Sequence, residues 1–162
     1  MSADTPVKNK RVIDNPVHLA AFGFGAGLSP IAPGTVGTLL GFPLFWLVMD
    51  QSMTVKVIVL GGLFLTGIWI CDTAGKAVGE ADHPGIVWDE IICFAIVLAF
   101  IPISFLWWIT AFAAFRVFDI YKLWPASWID THMKNGLGVM LDDLVAATYA
   151  IVVLLAIQYF HD

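Results

Sequence analysis

The sequence predicts an all-α, integral-membrane helical bundle with a re-entrant or proline-broken hydrophobic segment near Pro102. Three observations carry this reading. Of the 162 residues, 59% are hydrophobic and only 13% are charged, against roughly 45–50% and 25% in soluble domains. The apolar residues gather into long stretches at 36–49, 55–71, 91–115 and 137–160. The ionisable residues concentrate between those stretches, in polar blocks at 72–90 and 116–136.

Residues 1–16 read as a polar N-terminal tail and 17–162 as a single membrane-embedded domain. Lys8, Lys10 and Arg11 resemble the start of a secretory signal, but the residues after them are interrupted by Asp14, Pro16 and a run of glycines, so no cleavable signal is expected. The segment 23–38 is rich in Gly and Pro. It lacks the Gly-Lys-Ser/Thr ending of a P-loop and the glycine spacing of a dinucleotide site. Two readings fit it. Thr35 could be the N-cap of the first apolar helix, or Thr35, Gly37 and Thr38 could present amides and hydroxyls to a phosphate at a helix N-terminus.

The stretches 36–49 and 55–71 are short for a bilayer core that needs roughly 20 helical residues. The Gly-x-x-x-Gly spacings at Gly37/Gly41 and Gly75/Gly79 suit close helix packing. Asp72, Lys76 and Glu80 recur every four residues and share one helix face, where ion pairs form readily. Cys71 and Cys93 form no metal-type pattern and read as packing residues. His83, just before Pro84, reads as a loop histidine. The stretch 91–115 contains Ile101-Pro-Ile-Ser104, where proline removes a backbone donor and clashes with the preceding turn. The stretch 137–160 is the most convincing membrane helix, yet it opens with Asp142-Asp143.

If the acidic residues belong to one membrane face, 91–115 must leave that face and return to it. Lys8, Lys10, Arg11, Lys76, Arg116, Lys122 and Lys134 then lie on the side of the site and Lys56 alone lies opposite. By the positive-inside rule, the site faces the cytoplasm. Residues 50–56 and the C-terminus face outward.

Asp89 could cap the helix that begins beside it, and Glu90 could oppose the helix dipole. Adjacent carboxylates set against an apolar helix are costly, however, unless something positive neutralises them. Arg116, Asp119 and Lys122 are spaced three apart and would crowd one helical side. Asp72, Asp89, Glu90, Asp119, Asp142 and Asp143 together form an oxygen-rich set with almost no His or Cys. Hard oxygen donors select Mg²⁺ or Mn²⁺ over zinc, and magnesium commonly shares its ligands with a substrate phosphate. The expected metal ligands are Asp72, Asp89, Glu90, Asp142 and Asp143, and the expected catalytic groups are Asp119, Lys122, Arg116 and Asp142. Arg116 and Lys122 would stabilise charge on phosphoryl oxygens. Water activated by the metal is favoured over aspartyl attack as nucleophile.

A net charge of −5 with only 8 Lys and Arg leaves no basic surface for nucleic acid. No Asp-x-Asp pair is present for an aspartyl-nucleophile phosphatase, and no segment points to an obligate protein partner. The rival class is a small membrane cation transporter, since intramembrane carboxylates also mark ion paths. That reading expects acidic residues spread through the membrane depth, whereas here they cluster at helix ends.

The segments Ser29-Pro-Ile-Ala-Pro-Gly-Thr-Val-Gly-Thr38, Ile86-Val-Trp-Asp-Glu-Ile91, Phe115-Arg-Val-Phe-Asp-Ile-Tyr-Lys122 and Gly136-Leu-Gly-Val-Met-Leu-Asp-Asp143 resemble, in order, the signature stretches of the phosphatidylglycerophosphatase A family. The resemblance implies an all-helical fold and magnesium dependence. It implies hydrolysis of the terminal phosphomonoester of phosphatidylglycerophosphate to phosphatidylglycerol, at a bacterial cytoplasmic membrane.

Overall fold

A computed structural model describes residues 15–161. Its elements in chain order are α1 (Pro16–Ala21), a 3₁₀ helix (Gly23–Leu28), α2 (Pro33–Leu39), α3 (Gly41–Trp46), α4 (Met53–Val78), α5 (Trp88–Ala99), α6 (Phe105–Tyr121), α7 (Ala126–His132) and α8 (Gly136–His161). No strand occurs among the described residues, and the expected all-α bundle is what forms.

α1 packs across the site end of α4, with Ala21 beside Cys71 and Ala74, and α2 and α3 pack on α5. Asn15 caps α1, its Oδ1 accepting from the Val17 amide at 2.9 Å, and Pro16 supplies the fixed φ suited to a first helical turn. The expected single helix over 36–49 is two. α2 ends at Leu39 and α3 begins at Gly41, with the Leu40 amide bonded back to Gly37 O at 2.8 Å. Thr35 is not the cap of α2. That position belongs to Ala32, in the left-handed region, and Pro33 starts the helix. Gly37 and Gly41 do serve close packing. A Cβ at Gly37 would come 2.5 Å from Val87, and one at Gly41 would come 2.7 Å from Phe94. Gly79 has a different purpose from the one its spacing suggests. Its φ of 82° ends α4, and a Cβ there would meet open space.

α4 and α8 have 26 residues each, about 39 Å at ~1.5 Å per residue. Both are long and apolar enough to cross a membrane. α4 is apolar on every side, and Val57, Ile58, Leu65 and Trp69 are exposed. A helix of that kind has lipid as its natural surrounding, which makes the protein membrane-associated.

α5 sits in the middle, against α3, α4, α6 and α8. Ile91–Ala95, Val97 and Leu98 are buried along it. Phe94 meets Phe42 edge-on at 4.9 Å and also packs against Phe112 and Phe115. In lipid such contacts act through close packing rather than exclusion of water.

At 12 and 17 residues, α5 and α6 extend about 18 and 26 Å. The break expected near Pro102 falls between them, and Ser104 caps α6 by accepting from the Trp107 amide at 3.4 Å. The hairpin does return to its starting level, because Arg116 near the end of α6 reaches Glu90 at the start of α5 at 2.9 Å. Both cysteines are buried and free, as their lack of pattern suggests.

Candidate active site

Four helix ends and one loop supply the ionisable residues. Asp89 and Glu90 occupy the first turn of α5, which starts at Trp88, so Asp89 lies inside the helix and is not its cap. Arg116 and Asp119 stand near the end of α6, and Lys122 is its C-cap with φ 40°. Asp142 and Asp143 lie in the second turn of α8, Asp130 lies on α7, and Asp82 lies in the loop after α4.

Arg116 organises one side. Its Nη1 donates to Glu90 Oε1 at 2.9 Å, to Thr38 Oγ1 at 3.2 Å and to Asp119 Oδ2. Thr38 is fully buried and donates its own hydroxyl to Gly34 O at 2.8 Å, which turns its lone pairs toward the guanidinium. Gly34 makes room for Glu90, since a Cβ there would lie 2.0 Å from Glu90 Oε1. Of the residues expected to touch phosphate, Thr38 therefore borders the site through Arg116, while Gly37 seats α2 on Val87. Thr35 is half-buried on α2, three residues before Thr38.

Lys122 organises the other side. Its Nζ meets Asp142 Oδ2, Asp130 Oδ1 at 3.4 Å and Asp82 Oδ2 at 3.5 Å. One oxygen from each of Asp82, Asp130 and Asp142 lies within 4.8 Å of the others. The i, i+3 pairing of Lys122 with Asp119 does not form, because the left-handed backbone at Lys122 turns its side chain away from α6 toward α8.

Asp89 and Asp143 complete the group. They are 5% and 3% exposed, and Asp89 Oδ1 and Asp143 Oδ2 are buried without a hydrogen-bond donor. Glu90 Oε2 and Arg116 Nε are likewise buried and unpartnered.

Burial pushes the Asp82 carboxyl above its ordinary range, and the charge of Asp130 adds to this while Lys122 opposes it. Burial works in the same direction at Asp130 but is outweighed by Lys122, by a hydrogen bond with Asp82 and by Lys134, which hold Asp130 below its ordinary range. Burial lowers the Lys122 ammonium, but Asp142 and Asp82 more than reverse this and keep it charged.

Asp72, expected among the metal ligands, is engaged elsewhere. Its Oδ2 meets Lys76 at 2.6 Å and its Oδ1 accepts the Gly136 amide at 3.2 Å, so it caps α8 from α4. The hydrogen bonds and ion pairs found for Lys76 do not include the expected Glu80, which lies beyond the end of α4. His83 is a turn residue, its Nδ1 accepting from the Gly85 amide at 3.0 Å. Asp82 and Asp130 lie outside the expected set of site residues. Both belong to polar blocks where a carboxylate looks like ordinary surface, and neither has a spacing that points to Asp142.

The remaining donors are hard carboxylate oxygens, three of them buried and unsatisfied, and these fit a divalent cation such as Mg²⁺. Fold and site together define a membrane-associated helical protein with an acidic, cation-accepting site flanked by one guanidinium and one ammonium.

Comparison with known proteins narrows this class. Residues 19–158 match the family model described as phosphatidylglycerophosphatase A. The chain is 42% identical to phosphatidylglycerophosphatase A of Haemophilus influenzae over 163 residues, covering 99% of each chain. It is 40% identical to phosphatidylglycerophosphatase A of Escherichia coli over 142 residues, covering 86% of this chain and 81% of the relative. This chain belongs to the phosphatidylglycerophosphatase A family, a family of phosphatase enzymes. No solved structure matches it, and none of these relatives supports the cation-transporter alternative.

Proposed function

We propose that this enzyme is a magnesium-dependent lipid phosphatase that hydrolyses the terminal phosphomonoester of phosphatidylglycerophosphate to phosphatidylglycerol. On this reading it is a multi-pass protein of the bacterial cytoplasmic membrane with its site toward the cytoplasm. The observation that carries the reading is the joining of the Asp82–Asp130–Asp142 triad to Lys122 and Arg116 at one end of a lipid-facing bundle. A phosphomonoester dianion needs positive charge around its oxygens, and an acidic site accepts it only through cations.

Asp82, Asp130 and Asp142 would hold Mg²⁺, which when bound supplies Lewis acidity to the phosphoryl group and to attacking water. Asp142 anchors the set, because it is the most buried of the three and its Oδ1 also accepts the Asp143 amide at 3.0 Å. Lys122, held against the triad, is positioned to swing onto a phosphoryl oxygen. Arg116 has an unpartnered Nε to offer the phosphate, while Glu90, Asp119 and Thr38 fix its plane. Asp119 serves by orienting this guanidinium.

Orientation in the membrane is argued from the described cations. Lys76, Arg116, Lys122 and Lys134 are all tied to carboxylates at the site end of the molecule. Lys56 lies beside Ala99 and Phe100 at the turn of the α5–α6 hairpin, the other end. Lys8, Lys10 and Arg11 lie outside the described residues. The positive-inside rule then puts the site in the cytoplasm, where a diacyl lipid keeps its chains in the bilayer while its head group reaches the triad.

Release of inorganic phosphate from phosphatidylglycerophosphate in mixed micelles, compared with release from glycerol 3-phosphate, tests the reading. Turnover of the lipid that stops on chelation by EDTA and returns with Mg²⁺, with little turnover of the soluble ester, is expected. Equal turnover of both, or turnover undiminished by EDTA, contradicts it.

A further inference from the structure

α3 and α4 both pack on α5. At their junction lies a groove of about 410 Å³, to which Leu40, Leu44 and Leu47 contribute from the side of α3, Leu63 from α4, and Trp88 and Ile92 from α5. Every residue that lines it is apolar. Ile92 is fully buried, whereas Leu47 is 78% exposed, so the groove is floored by the core and open on its outer side.

The groove begins at the candidate active site. Trp88 immediately precedes Asp89 and Glu90 in the first turn of α5, and Leu40 follows Thr38, a partner of Arg116, by two residues. The Trp88 indole is fixed in place. Its Nε1 donates to Leu63 O at 3.4 Å, and Gly67 leaves the space that it fills, because a Cβ there would lie 2.8 Å from the ring. From Leu40 to Leu47 the chain advances about 10 Å at ~1.5 Å per residue. It runs away from Thr38 and past Phe45, whose ring lies 5.3 Å from Lys56 Nζ. Half of a bilayer core is about 15 Å deep, so the groove covers roughly two-thirds of one leaflet, starting from the level of the site.

Phe24 lines the same groove. It has φ 54° between Gly23 and Gly25 and is 71% exposed. A bulky residue in the left-handed region carries strain, and here the ring it presents goes to the groove rather than to the core. Gly23 ties this turn to the start of α5, since a Cβ there would lie 2.8 Å from Val87 and 3.1 Å from Ile91.

We propose that this groove holds one acyl chain of the substrate, so that the enzyme selects long-chain phosphomonoester lipids by the tail as well as by the phosphate. The inference takes the identity of the lipid from the proposed function and adds the place of its chain. A phosphate drawn to Arg116 arrives beside Thr38, and the apolar path onward from there is the one between Leu40 and Trp88. The apolar hollow beside Lys56 and Phe100 does not serve this purpose, because it lies at the hairpin end, remote from the site.

Phosphate release from dioleoyl and from dihexanoyl phosphatidylglycerophosphate in the same mixed micelles, with kcat/KM measured for each, provides the test. Leu44→Trp fills the middle of the groove and should lower the ratio of long-chain to short-chain kcat/KM about tenfold, the order by which small changes in an apolar pocket discriminate. Val152→Trp adds the same ring to an exposed position on α8 and should leave the ratio unchanged. If Leu44→Trp fails to fold, Leu47→Trp takes its place, at an exposed position with room for a large side chain, and should lower the ratio in the same way.

An unchanged ratio in the folded groove variant, or an equal fall in Val152→Trp, overturns the inference and leaves the proposed function standing. Release from neither lipid by the unaltered protein overturns the proposed function and this inference with it. The other occupant to test is a second copy of the chain. Leu47→Cys reports on it, since Cys71 and Cys93 are buried. Oxidative cross-linking of this variant to a dimer in membranes would assign the groove to a contact between copies and overturn the inference, whereas a monomer is expected.

Discussion

Replacing Lys122 by Met removes a charge and little else, because Met keeps most of the apolar stem and meets the same left-handed backbone. Without the ammonium, Asp82, Asp130 and Asp142 face one another with no counter-charge among their described partners apart from Lys134 at Asp130. Removing one partner of a buried pair costs about 3–5 kcal/mol. The Lys122 side chain is 26% exposed, so solvent screening brings the figure to roughly 2–3 kcal/mol. For a chain of this size that corresponds to a melting temperature lower by roughly 5–10 °C in EDTA at pH 8.

Magnesium should reverse the order. Two unit charges ~4 Å apart at an effective dielectric of ~20 interact by about 4 kcal/mol. Relieving even a third of that repulsion tightens an ion in the triad about tenfold. Lys122→Met is therefore expected to melt lower than the unaltered protein without metal, to gain more from Mg²⁺, and to lose most of its turnover. Thermal melts across a Mg²⁺ titration check this. An unchanged melting temperature in EDTA, or a smaller gain from Mg²⁺ than in the unaltered protein, would refute the placement of Lys122 in the triad.

The same contacts have other consequences. Arg116→Lys keeps the charge but cannot span Glu90, Asp119 and Thr38 together, so kcat should fall by about 10² or more with a modest loss of stability, as steady-state kinetics will read. Gly34→Ala brings a methyl into the place of Glu90 Oε1 and should cost activity strongly, whereas Gly79→Ala meets open space and should cost only about 1 kcal/mol of backbone strain in a melt. Asp72→Asn should retain most turnover, because Asp72 binds Lys76 and the Gly136 amide, while Asp142→Asn should abolish it in the same phosphate assay. Cysteines placed at Lys134 and Gln51 in sealed cells should react with an impermeant reagent only at position 51, and equal labelling of both from outside would overturn the topology.

The bundle is legible in the sequence where hydrophobic length and one proline carry the information. Pro102 marks the hairpin turn, and the apolar run from 137 onward becomes α8. The N-terminal third is harder to read. Its glycines adopt positive φ at Gly23 and Gly25, with Phe24 at 54° between them, so no periodicity announces the kinked 3₁₀ helix. The division of α2 from α3 is likewise silent, since Leu40 stays near helical geometry and only its hydrogen bond to Gly37 changes register.

Within the site, depth is the readable signal. Carboxylates abutting apolar helices, Asp89, Asp119, Asp142 and Asp143, stand out because burial makes them costly, and the structure does bury them. Depth misses Asp82 and Asp130, which sit in a loop and on a helix of 7 residues and reach Asp142 only through the tertiary fold. It also over-includes Asp72, whose place at the end of an apolar run reflects a cap on α8. Helical spacing gives Lys122 the wrong partner because it assumes that the helix continues, and α6 ends one residue earlier.

The most direct measurement of the central claim is Mg²⁺-dependent phosphate release from phosphatidylglycerophosphate in vesicles by the unaltered protein and by Asp82→Asn, Asp130→Asn and Asp142→Asn. Each variant is expected to be folded and to require a Mg²⁺ concentration at least tenfold higher or to lose turnover altogether, with Asp142→Asn the most severe. Near-normal turnover at the same Mg²⁺ concentration in all of them would contradict the assignment of this triad as the metal centre of a lipid phosphatase.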